Sequence, residues 1–285
     1  MFKKLIIFLL VILISGCSYN EISDLAIISS IGIDKVNNNY EITATTNSKV
    51  DSKIILTNTS SNIKTAISIL NNDISKKIYL DHLKLVVLNT DLNENDLKNI
   101  MNYFIKLDND FYIYFTNDKS SNIISNLINK NIINNYNDLK IKNNINSFKY
   151  FYNSYLNSSY FVTNSISIDN KLNYNNITIY KDNILINNIK PYIYHLLTNN
   201  IIKFNYEYKC DNNSLLTISN IKYINNKISA TYKKNDNNCY IDNNNLINNL
   251  NKELNETYNL LVNNNIKINK FTFNKLKEDN YEWYY

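Results

Sequence analysis

The run Leu25-Ala26-Ile27-Ile28-Ser29-Ser30-Ile31-Gly32-Ile33 constrains the fold more than any other stretch. It is short for a helix, and the branched Cβ of isoleucine favours extended backbone, so the run reads as a strand. Apolar residues at consecutive positions put side chains on both faces of the pleat, and such a strand needs cover from two sides. The remainder of the chain has to supply that cover.

It does so with alternating strand and helix patterns. Asn37-Asn38-Asn39 provides turn residues that tolerate positive φ, and Tyr40 to Thr46 returns as an alternating strand, which makes a hairpin with Asp34 in its turn chemistry. Ser60 or Ser61 can cap a helix whose Ile63, Ile67, Leu70 and Ile74 share one face. The apolar end of Ile78 to Asn89 reads as a central strand. Asn93 can cap a helix carrying Leu97, Ile100, Met101 and Phe104. Phe111 to Phe115 is a further strand, and Ser120 or Ser121 opens a helix through Ile124, Leu127 and Ile128.

Residues 130–158 are Asn-rich, with one more helix suggested by Ile145, Phe148, Phe151, Tyr152 and Tyr155, and a boundary is expected at Asn157-Ser158-Ser159. Beyond it, Phe161 to Ile168 alternates as a strand, and Ile177 to Ile186 forms a hairpin turning at Lys181-Asp182-Asn183. Pro191 suits the first turn of a short helix. Ile201 to Lys209, Leu215 to Ile224 and Lys227 to Lys233 read as strands. A long helix carrying Leu246, Leu250, Leu254, Tyr258 and Leu261 follows, then a short strand from Ile266 to Phe273. The fold class is α+β: two mixed α/β domains with largely antiparallel sheets covered by helices, over residues 25–157 and 158–285.

The first strand is preceded by an export signal. Lys3 and Lys4 form a positive n-region and Leu5 to Ile14 an apolar segment too short to span a bilayer. The small residues Ser15 and Gly16 then lead to Cys17, the arrangement a bacterial lipoprotein peptidase requires. Residues 1–16 are expected to be removed. Cys17 is the expected lipid attachment site, holding the protein on the extracytoplasmic face of a membrane, with residues 17–24 as a lipidated spacer. Cys210 and Cys239 remain as a pair, open to a disulfide or to two free thiols.

Heavy use of Asn, Ile, Lys and Tyr with no Arg, 2 Gly, 1 Pro and 1 Trp is the usage of an A+T-rich genome, so the Asn runs are not read as a prion-like tract. Gly32 is the sole glycine of the mature chain. The formal charge of +5 drops by two with Lys3 and Lys4, the lysines are scattered, and export removes the chain from nucleic acid, which argues against a nucleic-acid partner. One mature glycine excludes the usual glycine-rich phosphate loops. His82 and His195 have no partner at metal-ligand or nucleophile spacing, so no catalytic residue, metal or cofactor is expected, and Asp81-His82 is expected to serve structural hydrogen bonding.

The strings Leu25-Ala26-Ile27 through Ile31-Gly32-Ile33-Asp34-Lys35, close after the lipobox, and Leu80-Asp81-His82-Leu83-Lys84-Leu85-Val86-Val87-Leu88 resemble the Ger(x)C family, the C-subunit lipoproteins of spore nutrient germinant receptors. The second half resembles the family more loosely and is expected to be shortened after the segment containing Trp283. The resemblance implies a non-enzymatic part in nutrient-triggered spore germination, beside membrane-embedded A and B subunits in the inner spore membrane. The rival reading is an extracytoplasmic solute-binding lipoprotein serving a transporter, which ordinarily needs two similar lobes around a cleft.

Overall fold

The computed structural model describes residues 25–46, 55–70, 76–108, 110–129, 144–168, 172–198, 203–207, 215–224, 227–234 and 243–266. Cys17, Cys210, Cys239, Ile74 and the strand expected after Ile266 lie outside them, as does the side chain of His195.

The Ile-rich run becomes β1 (Leu25–Val36), whose residues from Ser30 to Asp34 are all buried. It turns at Asn37 and Asn38, with φ of 48° and 65°, into β2 (Asn39–Thr46), the paired left-handed residues of a tight hairpin. β3 (Ile55–Ser60) then pairs antiparallel with β2. α1 (Ile63–Ile69) follows, its N-terminus capped by the Asn62 side chain and not by Ser60 or Ser61; Ser60 Oγ accepts from the Asn62 N–H one step upstream.

β4 (Lys77–Tyr79) and β5 (Leu85–Asn89) both lie parallel to β1, opposite Leu25 to Ile27 and Ser30 to Ile33 in turn. Between them the chain leaves the sheet in a turn closed by a bond from Leu83 N to Leu80 O, 2.8 Å, which exposes Asp81 and His82. Asp81 there bonds to the Tyr79 hydroxyl, and the ring of His82 lies 5.8 Å from that of Tyr79.

α2 (Glu94–Phe104), β6 (Tyr112–Thr116), α3 (Ser120–Asn129), a 3-10 turn at Asn144–Asn146, α4 (Phe148–Ser158) and β7 (Phe161–Ile168) complete the parallel centre. β8 (Leu172–Lys181) and β9 (Ile184–Ile189) add antiparallel strands, so the path runs β3-β2-β1-β5-β6-β7-β8-β9, with β4 also on β1. The sheet therefore continues across residue 158, where composition suggested a boundary. α5 (Pro191–Thr198) leads to a separate antiparallel sheet of β10 (Lys203–Glu207), β11 (Leu215–Ile224) and β12 (Lys227–Lys234), and then to α6 (Asn243–Asn263).

Alternation along the strands sorts the core into two sides. Ile31, Ile33, Val86, Leu88, Ile113, Phe115 and Phe161 face the larger core beneath α1, α2 and α4, whereas Leu85, Val87 and Tyr114 face Ile123 and Ile124 of α3. Val162, Ile177 and Ile179 pack with Leu197 of α5 and Leu250, Leu254 and Leu261 of α6. The two-sided cover demanded by the first strand is what the helices provide.

Candidate functional site

The family-like string Gly32-Ile33-Asp34-Lys35 ends β1, and it holds a helix N-terminus on each side of the sheet. Every α-helix begins with backbone N–H groups that have no partner within the helix. Asp34, buried in the sheet, supplies the acceptor for α3: Ser120 N donates to its Oδ1 at 2.7 Å, Ser120 Oγ to its Oδ2 at 2.8 Å, and Ser121 N to the same oxygen at 3.2 Å. A carboxylate at this end also complements the helix dipole. Asp34 is a long-range cap, and not a component of the hairpin turn.

Lys35 faces the other side. Its ammonium lies 2.6 Å from Asp96 Oδ1 and 4.2 Å from the centre of the Tyr40 ring. Asp96 closes the capping box of α2, accepting from Asn93 N at 3.1 Å while Asn93 Oδ1 accepts from Asp96 N at 3.0 Å. Tyr40 donates to the same carboxylate at 2.8 Å. Burial, aided by Asp96, pushes the Tyr40 hydroxyl up to about 12, so it stays protonated and donating at neutral pH. On the α3 side, Lys119 meets Glu41 at 2.6 Å.

Gly32 makes the α3 side possible. A Cβ there would lie 2.7 Å from Ser120 Oγ, 3.0 Å from Ile124 Cγ1 and 3.1 Å from the Ser120 carbonyl carbon. Backbone cannot yield as a flexible side chain can, so Gly32→Ala is expected to push α3 outward and cost about 1–3 kcal/mol, read as a lowered urea midpoint with unchanged slope.

A second constellation lies between α4, β7 and α5. The hydroxyls of Tyr150 and Tyr194 share a hydrogen bond at 3.3 Å, and Tyr160 bonds to Tyr194 and Ser158. Burial pushes the Tyr150 hydroxyl up to about 12, raises Tyr160, and raises Tyr194 well above the ordinary range. Nearby, Asn146 bridges strands, donating to Tyr114 Oη and accepting from Thr163 Oγ1 and Asn164 N.

The clamp's carboxylates, Asp34 and Asp96, are occupied by donors from the chain itself. Among the described residues no three His, Cys, Asp or Glu side chains converge on a metal position. What this geometry can do is fix helices against a sheet and so fix the shape of the surface they present. The strings quoted for the resemblance contain Gly32, Asp34 and Lys35 but give no sign of their partners. Asp96 and Ser120 lie 61 and 86 residues along the chain, and the sequence signal for them was only that each stands at a helix start.

Residues 18–168, more than half of the chain, match the family model described as the spore germination protein N-terminal domain. The match defines the class, spore germination proteins. The chain belongs to that family, in agreement with its resemblance to the Ger(x)C proteins. No curated protein and no solved structure matches it.

Proposed function

We propose that the chain is the C subunit of a spore germinant receptor, a lipoprotein anchored through Cys17 that acts without catalysis by docking to the membrane-embedded A and B subunits. The observation that carries this reading is the start of the family match at residue 18, directly after the lipobox cysteine. No helix among the described residues is long and apolar enough to cross a membrane, so acyl chains at Cys17 are the attachment the sequence offers. Fixed helices and internally engaged carboxylates suit a subunit that works by its surface. The mature chain begins where a lipid would be added, and its location is the outer face of the inner spore membrane.

The test is a Cys17→Ala variant in spores, followed by membrane fractionation and a germination assay. The variant is expected to leave the membrane fraction or to remain unprocessed, and germination through its receptor is expected to fall. Normal membrane retention with normal germination would refute the anchor. Co-purification of the wild-type chain with the A and B subunits tests the docking separately; its absence from a detergent extract that retains both would refute that part.

A further inference from the structure

β3 closes one end of the nine-stranded sheet, and among the described residues no strand pairs with its outer side. Proteins commonly blunt such edges with charge, proline, a bulge or short length, because unpaired N–H and C=O groups recruit other strands. The remaining described edges carry one of these devices. β9 is offset by the register shift of β8 between Ile177 and Ile179, and β4 is three residues long and begins at Lys77. In the smaller sheet, β10 includes Lys203 and Glu207, and β12 includes Lys227, Lys233 and Lys234.

β3 carries none. Ile55-Leu56-Thr57-Asn58-Thr59-Ser60 has no charge in a chain with 30 basic residues, and it pairs with β2 without a break from Tyr40 opposite Ser60 to Thr45 opposite Ile55. Leu56 points into the core, while Ile55 is 43% exposed and Thr57 and Thr59 are exposed beside it.

We propose that β3 is a self-association edge, on which a second copy of this chain lays its own β3 antiparallel. The strand is complementary to itself. On a twofold axis through Thr57, Ile55 meets Thr59 of the other copy and Thr57 meets its equivalent, so the exposed β-branched positions pair with one another. Leu56 then meets Asn58, and both stay on the core side in each copy because residues opposite one another share a face. A charged strand would meet its own charge across such an axis; this one does not.

The test uses the mature lipoprotein in detergent, with its protein mass measured by light scattering. Twice the chain mass is expected, falling to the chain mass in a Thr57→Lys/Thr59→Lys variant with an unchanged circular dichroism spectrum. Under mild oxidation, Thr57→Cys is expected to cross-link, since its Cα atoms would stand roughly 5 Å apart. Thr59→Cys, displaced from its equivalent by about 13 Å, is expected to match the parent protein run beside it. A parent of single-chain mass overturns the proposal and leaves the edge to a strand of another protein. So does a dimer that survives the two lysines.

Discussion

Asp34→Ala is expected to destabilise the protein by about 2–4 kcal/mol, the largest effect of a single side chain in the clamp. Three donors at the start of α3, namely Ser120 N, Ser120 Oγ and Ser121 N, lose their acceptor together. Each stranded buried donor costs about 1–3 kcal/mol, but water entering the space left by the carboxylate recovers part of that, so the three do not sum. Asp34→Asn retains the size and one acceptor while turning an N–H₂ towards the other donors, and it should lie between the parent and the alanine variant. Denaturant unfolding gives the loss, and amide exchange across Ser120 to Asn129 locates it. A loss under about 1 kcal/mol, or one spread evenly over the fold, would show that α3 is held by packing alone. Should Asp34→Ala fail to fold, Asp34→Asn supplies the measurement.

The second large effect is on alkaline stability. Unfolded tyrosine titrates near pH 10, whereas the folded chain holds the Tyr150 and Tyr40 protons to about 12 and raises Tyr160 and Tyr194 as well. Between those pH values the folded state binds more protons than the unfolded state, so stability falls as pH rises. The contribution is complete below pH 10 and is lost as pH passes through 12. Tyr150 alone, held up to about 12, accounts for about 3 kcal/mol, and Tyr194 and Tyr160 add in the same direction. Tyrosinate absorbance should therefore show a late group ionising together with loss of helical circular dichroism, apart from the exposed members of the 24 tyrosines. Tyr194→Phe removes one proton from this linkage and should shift alkaline unfolding upward, unless the lost bond to Tyr150 weakens the neutral protein by as much; unfolding at pH 7 measures that term. Smooth ionisation of every tyrosine near pH 10 in a folded protein would contradict the burial.

Local physics was legible in the sequence and distant pairing was not. The hairpin turns at Asn37-Asn38 and Asp182-Asn183 could be read directly, because Asn and Asp accept positive φ at small cost. The helices beginning at Glu94, Ser120 and Pro191 were legible from a cap or a proline beside an apolar stripe. β3 was not read at all. Four of its six residues are Thr, Asn or Ser, and it is a strand because β2 offers it a partner. Asp34 was assigned to the nearby turn because nothing local announces a helix 86 residues later. Composition suggested a boundary at residue 158, yet Phe115 and Phe151 pack with Phe161 and Tyr180 from beyond it in one core. The expected lipid and disulfide positions, Cys17, Cys210 and Cys239, fall outside the described residues.

The placement of β1 also dictates the order in which the molecule can be completed. Its neighbours on one side are residues 77–79 and 85–88, and its Asp34 caps a helix that starts only at Ser120, so this Ile-rich strand is synthesised long before its partners. Closing loops of that length before any contact repays them makes folding slow. Only the β1–β2 hairpin is available early, and it covers one edge of β1 and neither face. A chain delivered across a membrane from its N-terminus would carry an uncovered isoleucine strand until α3 had followed, and during that interval a chaperone that shields extended apolar segments would have most to do.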